Sequence, residues 1–363
     1  MKAAFFSPVA YGGTASEGWP VPADKYSDEA AENSYNSAIA RFRLADETGW
    51  DWVTVAEHHY SPFSLTPNPM LLASALTQVV RRAKIAVLGP TIPMLNPVRV
   101  AEEFAMLDTI TGGRVVAGLM RGTPNEYVTY NINPEESRER FQEALQLIRM
   151  AWTEPQPFGW QGRHYEYRSL SIWPRPVQKP HPPLYMSGSS PESGAFAARN
   201  RIGIGFAVTT LPLATKAIAH YRATAQETGW EPKPDDIIYR CGMHLADTDE
   251  QAGNDLTSGP PRGRFSISNP ALESAVAGTS YYGKDHEAQR NRVARLPTIK
   301  DAVENGQILL GSPDSVFNQI MKIRELIGAG ILDLVLVTQD EGKARHAIEL
   351  FAKKILPRLH EIE

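Results

Sequence analysis

The sequence contains almost no cysteine and no long hydrophobic run. Cys241 is the single cysteine among 363 residues, which excludes an internal disulfide. A chain this poor in cysteine is typical of a reducing compartment such as the cytoplasm. No segment reaches the roughly 20 apolar residues that a membrane-spanning helix requires, and the apolar run near Met1 is too short for the core of a signal peptide. We therefore expect a soluble, cytoplasmic protein with no membrane partner.

The chain also lacks a strong charge of either sign. Its 37 basic and 41 acidic residues give a formal net charge of -4, and its pI is about 6.2. This balance offers nucleic acid no electrostatic attraction. Neither a Gly-x-Gly-x-x-Gly fingerprint nor a Walker Gly-Lys-Ser/Thr motif is present, and the histidines show no metal-ligand spacing. We therefore expect no nucleic-acid partner and no metal.

Short apolar runs alternate with longer helical patterns along nearly the whole chain. Helices are predicted near residues 28–48, 69–81, 98–110, 137–152, 191–200, 212–229, 311–328 and 341–361. Eight strands alternating with helices favour a closed (β/α)8 TIM barrel over a six-stranded open sheet. The predicted strands are Ala3 to Ser7, Trp52 to Ala56, Lys84 to Leu88, Arg114 to Leu119, Leu184 to Ser187, Ile204 to Val208, Ile237 to Leu245 and Leu332 to Val337.

Three segments interrupt this repeat and are interpreted as long insertion loops. They lie near residues 8–27, 153–182 and 250–306, and they are rich in Gly, Pro, Ser or aromatic residues. We therefore expect residues 1–363 to form one barrel domain with three insertions. The third insertion carries Arg262, Arg264, Tyr281 and Tyr282 and is the candidate lid over the site.

Two adjacent histidines, His58 and His59, follow the second predicted strand. The carboxyl ends of barrel strands are where active sites form, and imidazole exchanges protons near neutral pH. Adjacent histidines also serve as metal ligands in many hydrolases, or form a pair satisfied by local hydrogen bonds. The pair alone does not decide among these roles.

Two further groups of residues indicate a phosphate site. Arg121 follows the fourth predicted strand, where it is either an anion ligand or a solvated loop residue. After the fifth strand, Ser190 can cap a helix that begins with Pro191, and the helix N-terminus attracts phosphate. Gly188, Ser189 and Ser193 accompany it, which is more than ordinary capping needs. Without a dinucleotide motif, this pattern favours a mononucleotide.

The ordered succession of motifs resembles the bacterial luciferase-like monooxygenases. The resemblance covers most of the chain, and its order is more specific than any single motif. The residues that carry it are Glu57-His58-His59-Tyr60, Asn68-Pro69, Asn96 to Glu103, Leu107-Asp108, Thr111 to Arg114, Met120-Arg121-Gly122, Ser189 to Ala198 and Ala347 to Ala352.

This resemblance implies a barrel enzyme that uses reduced FMN and oxygen to oxidise a small organic substrate. A separate flavin reductase would supply the reduced FMN, and the reaction would proceed through a C4a-peroxyflavin. His58 matches the histidine that supports this intermediate, and His59 is its neighbour. We also expect a homo-oligomer, most simply a homodimer.

The resemblance also assigns residues to the flavin. It places Arg121 against the flavin, Ser189, Ser190 and Ser193 at its phosphate, and an unusual non-proline cis peptide at Leu88-Gly89, whose isomer the sequence leaves open. Met120 stands where luciferase itself has a cysteine, which argues against light emission more than against oxygenation. Trp19, Phe63 and Tyr127 are candidates for the substrate pocket.

Two other functions are compatible with the same barrel. Some members of the superfamily use a deazaflavin for hydride transfer without oxygen, and a family barrel can also lose its chemistry and remain a flavin-binding protein. The histidine pair favours FMN, and the presence of His58 argues against a non-catalytic protein. The choice of substrate depends on variable loops, and a single sequence does not identify it.

Overall fold

The computed structural model describes residues 1–16, 20–207, 209–257, 298–338 and 340–362. Its centre is a closed parallel barrel, as predicted. The barrel closes because its eighth strand pairs with both its first and its seventh strand. Its eight strands, in order around the barrel, are β1 (Lys2–Phe6), β2 (Trp52–Val55), β3 (Lys84–Thr91), β4 (Val115–Met120), β7 (Leu184–Ser187), β8 (Gly203–Ala207), β9 (Ile237–Leu245) and β11 (Ile331–Leu336).

Helices surround the barrel, and their ends follow the capping residues in the sequence. Ser190 and Ser312 cap helices that begin with proline, and Gly49 ends the first helix with a φ of 96°. The helices are α1 (Asp28–Thr48), α2 (Pro69–Leu76), α3 (Pro97–Thr111), α4 (Pro124–Thr129), α5 (Ser137–Thr153), α6 (Pro191–Arg199), α7 (Leu211–Glu227), α8 (Asp249–Thr257), α9 (Ile299–Glu304), α10 (Pro313–Ile327), α11 (Glu341–Lys354) and α12 (Leu356–His360). Short 3-10 turns occupy Ala23–Lys25, Ile92–Met94, Pro134–Glu136 and Pro234–Asp236. Within the described ranges, no helix is both long and apolar enough to cross a bilayer.

The prediction of one continuous helix over 341–361 was wrong. The helix is interrupted at Ile355, between α11 and α12. Pro357 lacks the backbone N–H that a continuous helix would need at this point, and its ring crowds the preceding turn. The signal for the break was therefore present in the sequence.

The second and third predicted insertions contain strands or α-helices. The second holds an antiparallel hairpin of β5 (Phe158–Gln161) and β6 (Glu166–Leu170). Glu143 of α5 holds this hairpin, since it accepts hydrogen bonds from the Trp160 indole at 3.1 Å and from the amides of Arg163, His164 and Tyr165. The third insertion begins with α8 and ends with α9, while Trp19 and the candidate lid residues Arg262, Arg264, Tyr281 and Tyr282 lie outside the described residues.

A further strand, β10 (Ile308–Gly311), joins the barrel beside β9. One edge of β9 pairs with β11 through residues 238–243. The other edge is shared, since β8 pairs with residues 237–240 and β10 with residues 242–245. β10 therefore extends the wall upward from the point where β8 ends.

The lower half of the barrel is filled by an apolar plug of inward-facing side chains. Trp52 and Tyr185 meet edge to face inside it, with ring centroids 6.0 Å apart. The plug closes the amino ends of the strands and leaves their carboxyl ends open for a ligand. Its members are Ala4, Trp52, Ala86, Leu88, Val116, Tyr185, Ile238 and Ile331.

Candidate active site

A cavity of about 600 Å³ opens above the plug, at the carboxyl ends of the strands. This volume lies in the range of small-molecule and cofactor sites, and the location is where barrel enzymes place their chemistry. The structure brings most of the predicted site residues together around it: His58, Leu88, Gly89, Met120, Arg121, Ser189, Ser190 and Ser193. Phe63, a candidate for the substrate pocket, also lines this cavity.

His58 is held as a neutral imidazole at the cavity wall. Its pKa is lowered from 6.5 to about 4, mainly by burial and to a lesser extent by the nearby Arg240 guanidinium and the His59 ring. Its backbone N–H donates to Thr66, but its Nδ1 atom is buried and has no hydrogen-bond partner among the described residues. A buried polar atom of this kind is suited to a hydrogen bond with a bound ligand.

His59 lies outside the cavity, on a buried carboxylate. Its Nε2 atom is 3.2 Å from Oε1 of Glu57, which also accepts the Thr91 hydroxyl. The Thr91 amide donates to the other Glu57 oxygen at 3.3 Å. Glu57 therefore joins the ends of β2 and β3, and His59 supports that junction from outside. A direct catalytic part for His59 stays a prediction.

The low pKa of His58 predicts an acid-sensitive stability. The unfolded chain binds a proton at this residue below pH 6.5, but the folded protein binds it only below about pH 4. Stability should therefore fall as the pH drops through this window, by about 2 kcal/mol at pH 5 relative to neutral pH. Urea unfolding of the wild type and of His58→Gln at both pH values measures this difference. Equal pH dependence of the two proteins would contradict it.

The predicted phosphate site has the expected helix geometry. Ser190 caps α6 by accepting the Ser193 amide at 3.2 Å, and the two hydroxyl oxygens are 3.0 Å apart. Both serines and Ser189 face the cavity, so hydroxyls and a positive helix end meet there. Gly188 is not part of the cavity lining among the described residues. Its N–H donates to the Gly205 carbonyl, and a side chain there would meet Ile204 at 2.8 Å.

Two arginines face the same end of the cavity. Arg121 donates to the Ser137 hydroxyl at 3.3 Å, and the Tyr127 hydroxyl donates to the Arg121 carbonyl. Arg138, on the first turn of α5, also lines the cavity, and its pKa is lowered by burial and by the charge of Arg121. Two crowded cations beside a helix N-terminus favour an anion between them. We call Arg121, Arg138, Ser189, Ser190 and Ser193 the anion cradle.

Leu88-Gly89 is a non-proline cis peptide at the cavity wall, as the resemblance implied. A Cβ atom on Gly89 would lie 2.0 Å from the backbone carbonyl oxygen of Gly118 on the neighbouring strand. β3 and β4 approach so closely here that only glycine fits. The cavity wall at this point is therefore backbone, with no side chain above it.

Several residues at the site were missed or misplaced by the sequence interpretation. Arg138 and Arg240 line the cavity unpredicted, as does Glu126, whose pKa burial raises. Tyr127 is buried against Met94 and Ile132, so it supports the Arg121 loop and does not line the pocket. His244, on β9, is buried, and its Nε2 atom lies 2.9 Å from Oδ2 of Asp255. No group of potential metal ligands occurs among the described residues.

The family model for luciferase-like monooxygenases matches residues 17–330. The oxygenase component of flavin-dependent trigonelline monooxygenase from Acinetobacter baylyi is 25% identical over 63% of this chain and 64% of its own length. The chain spans between half and about two thirds of the length of the first two curated relatives it matches, 50% and 64%.

Solved structures show the same fold over almost the whole chain. The monooxygenase RslO1 from Streptomyces bottropensis has a TM-score of 0.77 at 25% identity and covers 99% of both chains. The oxygenating constituent of 3,6-diketocamphane monooxygenase from Pseudomonas putida, solved with FMN, has a TM-score of 0.77 at 20% identity and covers 99% of this chain and 98% of its own. An F420-dependent secondary alcohol dehydrogenase has a TM-score of 0.71 at 18% identity, with coverage of 99% and 98%. Since the family model matches most of the residues, the chain belongs to the luciferase-like monooxygenases.

Proposed function

We propose that this protein is the oxygenase component of a two-component, FMN-dependent monooxygenase that oxidises a small organic substrate. The observation that carries the proposal is the shared cavity, in which an anion cradle and a neutral histidine face the same space. A cradle alone would fit many phosphorylated ligands. The combination with His58 and the family membership support a flavin that reacts beside an imidazole.

The residues present fit FMN. The anion cradle supplies two guanidinium groups, serine hydroxyls and a helix N-terminus for a terminal phosphate. Bound reduced FMN would supply the reaction with oxygen at its C4a carbon. The Leu88-Gly89 backbone would support the ring, and apolar neighbours such as Phe63 and Met186 would exclude water. His58, neutral at working pH, would hold or move a proton beside the ring through Nδ1.

A deazaflavin oxidoreductase remains the second candidate, since an F420-dependent dehydrogenase has the same fold. Relatives named as monooxygenases or oxygenase components support FMN instead. A flavin-binding protein without chemistry would have no need of a cavity imidazole whose buried Nδ1 atom has no hydrogen-bond partner among the described residues.

The proposed partners are a separate flavin reductase and a second copy of this chain. The reductase is proposed because the trigonelline relative is named an oxygenase component. The second copy is proposed because α2 and α3, which contact each other, expose large apolar side chains, Leu71 at 72%, Met106 at 49% and Ile110 at 54%. Met106 and Ile110 lie one helical turn apart and so share a face.

We expect the purified protein to bind reduced FMN about tenfold or more tightly than oxidised FMN, a difference of about 1.4 kcal/mol. The reason is that a two-component oxygenase takes its flavin already reduced, and the cationic cavity favours the more anionic form. Anaerobic titration with both forms of FMN, and in parallel with F420, measures the preference.

The same preparation should not oxidise NADH by itself, and oxygen uptake should require added reduced FMN. Oxidation of NADH at rates that match substrate turnover would contradict a two-component system. Binding of F420 in preference to FMN would replace the proposed cofactor with the second candidate.

A further inference from the structure

Arg240 is a partly buried charged residue at the floor of the cavity. β9 places it between Ile238, which belongs to the apolar plug, and Gly242, which lines the cavity, so all three face the barrel interior. Its side chain is only 15% exposed and borders the cavity directly. The guanidinium is therefore available to a ligand in the part of the cavity next to the plug.

The guanidinium is held in place by Asp333 and by the Phe6 ring. Its Nε and Nη2 atoms each lie 2.6 Å from Oδ2 of Asp333, and its central carbon sits 3.8 Å above the Phe6 ring. Asp333 is 1% exposed and accepts the Thr54 hydroxyl at 2.7 Å on its other oxygen. An arginine fixed in this way presents its remaining nitrogen in one direction.

That remaining nitrogen, Nη1, has no acceptor among the residues that the structure describes. A buried ion pair is seldom more stabilising than apolar residues of the same volume, so stability alone does not account for this one. The charge of Arg240 is already balanced by Asp333, so Nη1 is suited to a carbonyl oxygen or a weakly anionic ring as much as to a full anion.

The position of Arg240 relative to the anion cradle limits the ligand. The cradle follows β4 and β7, whereas Arg240 lies on β9, which β8 separates from β7. A ligand that contacts both must carry a phosphate at one end and hydrogen-bond acceptors at the other. FMN has this form, since the pyrimidine half of its ring carries carbonyl oxygens and ring nitrogens and the dimethylbenzene half carries none.

We propose that Arg240 is the second anchor of the flavin and donates from Nη1 to the C2 carbonyl and N1 edge of its pyrimidine ring. This inference rests on the proposed function and adds the orientation of the ring, with the pyrimidine toward the barrel floor. Reduction of a flavin places negative charge on this edge, so Arg240 accounts for a preference for the reduced form. Arg240 is thus a cofactor-binding residue of the floor, separate from the cradle.

The test compares FMN with riboflavin, which lacks the phosphate, each in oxidised and dithionite-reduced form under anaerobic conditions. Arg240→Met combined with Asp333→Asn removes both charges, so neither is left buried without its partner. We expect this double variant to bind reduced FMN and reduced riboflavin roughly 10- to 100-fold more weakly, with a much smaller effect on the oxidised forms. Arg149→Met is the control. Arg149 does not line the cavity, and its guanidinium donates a hydrogen bond of 3.1 Å to the Asn200 carbonyl.

Arg240→Lys keeps the charge but loses the planar fork, and it should lower the preference for reduced riboflavin by an intermediate factor. If circular dichroism shows that the double variant does not fold, Arg240→Lys alone is used for the test. Wild-type preference for reduced riboflavin in a folded Arg240→Lys or double variant would overturn the proposal. Failure of the proposed function gives a different result, namely a wild-type protein that binds no FMN in either form.

Discussion

Replacing His58 with alanine is expected to lower product formation by about 10²- to 10⁴-fold, the usual loss for a general acid-base group. Folding and FMN binding should stay nearly unchanged, because the imidazole follows β2, whereas the anion cradle follows β4 and β7, and its Nδ1 atom has no partner in the described protein. Reduced FMN would still be reoxidised, but hydrogen peroxide would replace product. Stopped-flow absorbance of the flavin and the peroxide yield measure this change.

The same variant separates three roles for His58. A residue needed only for packing would give a lower melting temperature and normal turnover of the folded fraction. A metal ligand would give a loss of bound metal together with activity. His181→Ala is a suitable control, since His181 is a partly buried imidazole that packs on Trp152 outside the cavity.

Removing both arginines of the anion cradle should weaken FMN binding by about 10²- to 10⁴-fold. Each hydrogen bond to a charged group contributes about 1.5–3 kcal/mol, which corresponds to roughly 10- to 100-fold for Arg121→Ala and for Arg138→Ala. Riboflavin should bind the double variant almost as well as it binds the wild type, because it has no phosphate. Fluorescence titration with both flavins measures the ratio, and an equal loss for both would place the phosphate elsewhere.

Ser190→Asp tests the cradle from the helix side. Aspartate is a good capping residue, so α6 should still form, but its carboxylate would repel the phosphate. We expect weaker FMN binding with little change for riboflavin. Ser27→Asp, at the cap of α1 and outside the cavity, makes the same change without a phosphate nearby and should bind both flavins normally.

The eight barrel strands could be predicted because each is a buried apolar run followed by a helical pattern. β10 could not be predicted in this way, since Ile308–Gly311 follows the six-residue α9 and runs directly into α10. In the hairpin of β5 and β6, Leu170 alone is buried and the other strand residues are exposed or half-buried, so it has no apolar run to reveal it. Its position depends on Glu143, which lies on the preceding helix, 17 residues before Trp160.

The site was predictable where residues stand at strand ends, because the barrel gathers those ends at one mouth. Arg138 was missed because an arginine in the first turn of a helix is usually a surface residue. Arg240 and Asp333 did leave a signal, since each is a charge inside an otherwise apolar strand. Only the register of β9 and β11, which pairs these two residues, shows that they neutralise each other.

β8 and β10 pair with the same edge of β9 but affect different properties of the barrel, its closure and the shape of its cavity. Closure depends on the lower pairing with β8, and the ring of eight strands is complete without β10. β10 contributes only to the rim, where Gly242 and Gln307 border the cavity. Because β10 follows the long insertion in the chain, a change of length or sequence in that insertion can move one wall of the cavity without opening the ring. The protein can therefore acquire a new ligand preference at this wall while the strands that hold its shape stay the same.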